Sequence, residues 1–465
     1  KWRKQLAREN NASDRLGVMP VNKLVFSISL PVIISMLVQA MYNIVDSAFV
    51  GSYGDMPLRA LSLAFPVQNL FIACAVGFGV GTNALVARYL GKRNRQKASS
   101  IANTGIMLSI LGYLVFLILS FFICEPFFAF QTEFKEVVNY GVEYLSIVMI
   151  GSIAIFMEII LERLLMATGK TKLSMVSQAS GAIINIVLDP LMIFGIGPFP
   201  EMGVTGAALA TVIGQIASAV IALILNLAFN KEIMLSFKEI FAFKFKEMGE
   251  ILKIGVSSII LNAITSIVVL IMNQILIRFS EDAITAYGVY FKLVSIVYMP
   301  IFGLNAGIVP ILSYNYGAKK YDRIKQAYKV SIIFVAVVTI ICTIVCQLFP
   351  AQLYSIFSAT PEVTALGIPA IRVMSIGFIM AGIDTINATM FQSIGNPMHS
   401  LICIILRQFA ILIPLSIIFA FTGNIVLVWC ALPISETFAL FISFIFMKSL
   451  SKKLHKSIES EVQSA

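Results

Sequence analysis

Charge is scarce in this chain: Asp, Glu, Lys and Arg make up 12% of 465 residues, against 58% hydrophobic side chains. Mean hydropathy is +0.91. Burying that much apolar surface in a soluble core would leave too little polar surface to meet water, which excludes an ordinary soluble globule. Histidine is nearly absent, with His399 and His455 alone, and the sequence has no HExxH run and no nucleophile with a paired base in reach. A membrane-embedded enzyme is therefore disfavoured, and neither a metal nor a cofactor is expected. Six cysteines (Cys74, Cys124, Cys342, Cys346, Cys403, Cys430) are scattered through apolar runs. Cys342 and Cys346 share a helical face but have no histidine near them, so all six read as small packing residues. Long polar segments are missing too, the longest in the interior running from about Asn230 to Lys253. Residues 1–24 show no n-region, h-region or cleavage site, so no secretory signal is expected and the first span serves as its own insertion signal.

What is present is a succession of apolar runs, each near the roughly 20 residues a bilayer span needs. They fall at about 25–48, 58–82, 99–123, 139–164, 173–195, 204–228, 253–278, 284–310, 329–349, 364–391, 400–421 and 425–448. Lys and Arg concentrate in alternate loops: Lys1, Arg3, Lys4, Arg8, Arg15 and Lys23, then Arg88 to Lys97, Lys170 and Lys172, Lys231 to Lys253, and Lys319 to Lys329. The C-terminal tail adds Lys448, Lys452, Lys453 and Lys456. The net charge of +10 is thus topology and not a nucleic-acid face. Positive-inside logic places both termini in the cytoplasm of a multi-pass protein of the cell (inner) membrane, in contact with lipid and with no nucleic-acid partner. The segment FKEIFAFKFKEM in the central linker reads as an amphipathic run able to lie on the membrane surface.

Glycines at 77, 81 and 91 recur at 303, 307 and 317, each 226 residues on, and the same offset pairs Gly169 with Gly395 and Glu158 with Asp384. A repeat with an even number of spans enters the membrane in the same orientation twice, which disfavours inverted five-plus-five folds. The expected fold is all-α: twelve transmembrane helices in two six-helix lobes related by a parallel internal repeat. Its parts are a tail (1–24), an N-terminal lobe (25–229), a linker (230–252), a C-terminal lobe (253–449) and a second tail (450–465). Pro31, Pro66, Pro190, Pro300, Pro310, Pro369, Pro414 and Pro433 interrupt the spans and read as hinges or as static kinks.

The offset fails at two carboxylates, since Asp46 maps to Met272 and Asp189 to Leu415. Gln39, Asn43 and Asp46 stack on one face of the first span, Gln178, Asn185 and Asp189 on one face of the fifth, and Thr211 and Gln215 on the sixth. Together they would gather two carboxylates, an amide oxygen and a hydroxyl. Two neighbouring carboxylates in low dielectric cannot both stay charged cheaply, so the group would take up a proton, or its oxygens would replace the water shell of Na⁺; the spacing leaves both open. The bland reading sets Asp189 at a helix end, because Pro190 follows it. Lys292, Arg372, Asp384, Arg407 and Glu436 also fall within spans. Lys292 and Arg372 lie toward outer ends and read as snorkelling groups or as cavity-lining ones. Glu158 and Asp384 read as cation-attracting groups at a substrate cleft or as members of structural ion pairs.

With these residues placed, the chain resembles the multidrug and toxic compound extrusion (MATE) transporters over about residues 20–450. The resemblance rests on SLPVIISMLVQAMYNIVDSAFVG (29–51), the glycine-to-basic loop ends at Gly91 and Gly317, INIVLDPLMIFG (184–195), GAALATVIGQ (206–215) and WCALPISE (429–436). It implies a monomeric antiporter with a cleft between two lobes that exports small organic cations or drugs in exchange for H⁺ or Na⁺. It implies that Asp46, Asn185, Asp189 and Thr211 are the N-lobe cation site, that Tyr42 neighbours them, and that the first helix bends at Pro31. The chain departs from one branch of the family, whose seventh-span Glu is replaced here by Thr265 and whose tenth-span acid is out of register with Asp384, so no C-lobe cation site is expected. A lipid-linked-precursor flippase of the same superfamily stands as the alternative, carried by Lys292, Arg372 and Arg407. A six-plus-six facilitator is disfavoured because ARYLGKRNRQKA lacks the Asp of that group's usual signature.

Overall fold

In hydrocarbon no water satisfies backbone N–H and C=O groups, so the helix is the form open to each apolar run. The computed structural model describes residues 12–357 and 360–462, among which every regular element is helical. Lys1, Arg3, Lys4 and Arg8 lie outside the described residues, as do the side chains of Lys453, His455 and Lys456. A short helix, α1 (Ala12–Val18), precedes α2 (Val21–Tyr53), α3 (Asp55–Gly91), α4 (Arg95–Gln131), α5 (Lys135–Ile150), α6 (Ile153–Ala167), α7 (Thr171–Ile193) and α8 (Gly203–Phe229). The linker carries α9 (Phe237–Ile240), and α10 (Phe245–Leu276), α11 (Glu281–Gly317) and α12 (Tyr321–Leu348) follow. The chain ends with α13 (Pro350–Ser355), α14 (Pro361–Ser375), α15 (Phe378–Ser393), α16 (Pro397–Ile405), a π-helical segment (Leu406–Leu412), α17 (Ile413–Ala420) and α18 (Ile425–Val462).

Ten of the described helices are long and apolar enough to span a membrane, and two bent pairs raise the number to as many as 12. The pairs are α5 with α6, bent by 45°, and α14 with α15, bent by 48°. They break at Gly151 and Gly377, which are again 226 residues apart. The repeat reaches the loops as well. Arg93 and Lys319 both take a left-handed backbone, at φ 60° and 58°, and Gly169 and Gly395 do so at 78° and 85°.

Helix ends run beyond the apolar windows because polar residues continue a helix once it leaves hydrocarbon; α10 begins inside the expected linker and α18 continues to Val462. The amphipathic run of the linker is not one helix: α9 stops at Ile240 and α10 starts at Phe245, with Phe237, Phe241, Phe243 and Phe245 exposed.

Two compact units emerge, and they do not follow the halves of the repeat. The first holds Lys1–Ala263 with Ala306–Lys319, the second Ile264–Asn305 with Lys320–Ala465. In the first unit, glycines mark where backbones meet. A Cβ on Gly91 would collide with the Tyr314 carbonyl, one on Gly317 with the Arg88 carbonyl, and one on Gly255 with Gly77. The linker is pinned to the same unit by buried carboxylates. Glu232 pairs with Lys170 at 2.5 Å and accepts from the Ser13 N–H at 3.3 Å. Glu247 pairs with Lys97 at 2.5 Å and accepts from the Ser100 and Thr104 hydroxyls at 2.8 and 3.0 Å.

In the second unit Trp429 is fully buried, its ring stacked on Tyr287 with centroids 6.1 Å apart. Pro414 has no N–H to donate to the turn before it, and the chain ahead of it widens into the π segment that carries Arg407.

A candidate cation site in the N-terminal half

Four helices of the first unit, α2, α6, α7 and α8, enclose a narrow polar cavity. Gly181 of α7 and Gly214 of α8 allow the two backbones to touch, since a Cβ on Gly181 would lie 2.7 Å from the Gly214 carbonyl oxygen. Around that contact Gln39 and Tyr42 enter from α2, Glu158 from α6, Gln178 and Asn185 from α7, and Thr211 and Gln215 from α8. The space open to the centre of a water molecule is about 20 Å³, enough for one water or a bare monovalent ion and far below a drug-sized pocket.

Asp189 stands one helical turn past the cavity-lining Asn185, and its carboxyl lies within hydrogen-bonding reach of that of Asp46. Both groups are acceptors when ionised, so the contact becomes a hydrogen bond only when a proton is shared. The Asn185 amide donates to Asp189 Oδ1 at 3.2 Å. Asp46 Oδ1, Asp189 Oδ2 and Asn185 Oδ1 are buried with no hydrogen-bond partner. Gln178 donates to Gln39 Oε1 at 3.4 Å. The Tyr42 hydroxyl lies beside Gln39 and in the field of Glu158, Asp46 and Asp189.

Not every expected residue takes part. Asn43 is exposed and off the cavity wall. Pro31 is buried inside α2, which runs through it without a break, next to the apolar contact of Val32 with Met166 and Ala306. The reading of Asp189 as a helix-end residue is corrected: α7 continues through Pro190 to Ile193, and Asp189 is 0% exposed. A proline there costs one N–H and frees one carbonyl, which a packed helix tolerates.

In the second unit, Arg407 sits between two acids, 3.1 Å from Glu436 and 3.8 Å from Asp384. Asp384 is therefore held in an ion pair. Lys292 is exposed, its ammonium 6.0 Å from the Phe357 ring centroid. Sequence reasoning overlooked Glu162, although it follows Glu158 by one helical turn, and Tyr144, which accepts from Gln68 at 3.1 Å and faces Asp46.

The MatE family model matches residues 31–191 and again 257–418, two stretches that begin 226 residues apart. The chain belongs to the MatE family. Relatives of this MatE protein include the multidrug export protein MepA of Staphylococcus haemolyticus, 28% identical over 93% of this chain and 94% of the relative. An FAD transporter of Shewanella oneidensis is 27% identical over 91% and 94%. A solved structure described as the outward-facing conformation of a multidrug resistance MATE transporter superposes with a TM-score of 0.88 at 25% identity, covering 95% of this chain and 98% of that one. The protein is thus a MATE-type membrane transporter and not an enzyme.

Proposed function

We propose that this MatE protein is a secondary antiporter that exports organic cations or drugs from the cytoplasm in exchange for H⁺ or Na⁺, the ion exchanging at Asp46, Asp189, Asn185 and Thr211. The observation that supports this most is the set of buried oxygens with no donor: Asp46 Oδ1, Asp189 Oδ2 and Asn185 Oδ1. An unmet buried acceptor costs about 1–3 kcal/mol; a shared proton would meet the two aspartate oxygens, and a bound metal cation would draw on the amide oxygen as well. A proton closes the contact between the aspartates, whereas Na⁺ is a hard ion for which carboxylate, amide and hydroxyl oxygens replace water. The ion biases alternating access by its different affinity for the two states, with α2 flexing near Pro31. The basic loops support a reading of an inner-membrane protein with both termini on the cytoplasmic side.

The substrate class is supported by the relatives named as multidrug exporters; the flippase alternative loses Arg407, which is committed to two acids. The test is export of a fluorescent organic cation from proteoliposomes under an imposed pH or Na⁺ gradient, wild type beside Asp46→Asn. Export driven by one gradient and lost in the folded variant names the coupling ion. Equal export by the variant would end the N-terminal coupling reading, and export of FAD in place of the cation would end the substrate reading.

A further inference from the structure

On the far side of the cavity α6 carries a second acidic pair that the exchange described above does not use. Glu158 and Glu162 lie one turn apart and stack on one helical face, 9% and 7% exposed. Glu158 lines the cavity and Glu162 lies beyond it, toward the end of α6 that leads into the basic loop at Lys170. Ser177 approaches Glu162 Oε1 at 3.3 Å, but its one hydrogen is also offered to the Ser174 carbonyl at 3.0 Å. Arg163 attracts Glu162 through space and balances one of the two charges. Ser218 of α8, 0% exposed, faces both glutamates while its Oγ has no hydrogen-bond partner, and Glu158 Oε2 is equally unpartnered.

Donor accounting decides what this arrangement takes. A serine hydroxyl donates once and accepts. Between two carboxylates it can satisfy at most one, so the other is left unmet. One added proton completes the chain, with one glutamic acid donating to Ser218 Oγ and Ser218 donating to the other carboxylate. The same chain conducts. As the O–H bond of Glu158 breaks and its proton joins Ser218 Oγ, the original serine proton passes to Glu162, so charge and atoms balance with no further reactant.

We propose that Glu158, Ser218 and Glu162 form an inner proton site that draws a proton from the water-sized cavity and delivers it to Glu162, away from Asp46 and Asp189. The transport role of this site rests on the antiport reading above; its occupancy by a proton does not.

Infrared spectroscopy of the purified protein in lipid at neutral pH reads occupancy without transport. In Asp46→Asn/Asp189→Asn a protonated-carboxyl C=O band should persist, because it comes from the glutamates. Adding Glu162→Gln should remove it, since the Gln amide donates to Ser218 and completes the chain without a proton. Ser218→Ala should shift the band, and Ser218→Thr should restore it. In the wild-type background Glu162→Gln should slow pH-driven export by about 100-fold. Absence of the band from the double aspartate variant, or its persistence in both Glu162→Gln and Glu158→Gln, would overturn the proton site. Loss of the band with unchanged pH-driven export, or export driven by Na⁺ alone, would overturn the relay and leave the aspartate reading standing.

Discussion

The two halves of the repeat bury carboxylates in opposite company. In the C-terminal half Asp384 and Glu436 share the guanidinium of Arg407. In the N-terminal half Asp46 and Asp189 face each other and, among the described residues, neither pairs with a Lys or Arg. A carboxylate locked to a fixed cation has no vacancy for a mobile one, whereas two carboxylates without such a partner need a mobile one. This difference supports the proposed exchange at the N-terminal aspartates, although both halves follow one pattern. Glu158 and Asp384 make the point most sharply: they occupy equivalent positions of the repeat, yet Asp384 has a guanidinium at 3.8 Å while Glu158 opens onto the cavity.

The contrast can be broken at its centre. Asp46→Asn and Asp189→Asn should each abolish gradient-driven export while leaving a monodisperse, normally inserted protein, as read by proteoliposome uptake beside size-exclusion chromatography. In the other half, Arg407→Met leaves two buried carboxylates unopposed and should destabilise the protein by about 3–5 kcal/mol, seen as a lowered thermal midpoint. Adding Asp384→Asn and Glu436→Gln should recover most of that loss. If Arg407→Met were instead as stable as wild type, the triad would not be a structural lock.

Asn185→Ala removes the one amide that donates to Asp189. It should weaken apparent affinity for the coupling ion by about tenfold, the equivalent of one buried hydrogen bond to a charged group, measured as a shift in the ion concentration that half-activates export. Lys292→Met gives the smallest effect. An exposed cation near a ring contributes under about 1 kcal/mol, so both thermal midpoint and export rate should stay within error of wild type. A large fall in export in that variant would show that Lys292 lines the substrate path.

Much of the architecture is legible along the chain because it is periodic. Apolar windows mark spans, glycines recur where backbones must touch, and the 226-residue offset carries over to the bend at Gly151 and Gly377 and to the left-handed Arg93 and Lys319. That Gln39, Asn185 and Thr211 face the cavity was readable for the same reason, since three- and four-residue spacing on a helix leaves few choices of face. Asn43 shows the limit of that reasoning: it follows the same spacing but stands off the cavity wall.

The triad could not be read in advance. Asp384, Arg407 and Glu436 lie 23 and 29 residues apart on α15, the π segment and α18, and no periodicity connects residues on separate helices. Glu162 was within reach one turn from Glu158, but its significance depends on Ser218, which is more than fifty positions away in sequence.

The order of the residues sets the membrane class, the duplicated topology, the basic loops and the faces on which polar groups stand, because hydrophobic length and helical period act locally and leave a pattern in one dimension. Which carboxylate is paired with a fixed cation and which is not depends on distances between side chains of different helices. Those distances are set by how helices cross, at Gly181 against Gly214 and around the π segment that carries Arg407, and they exist only once the helices have packed.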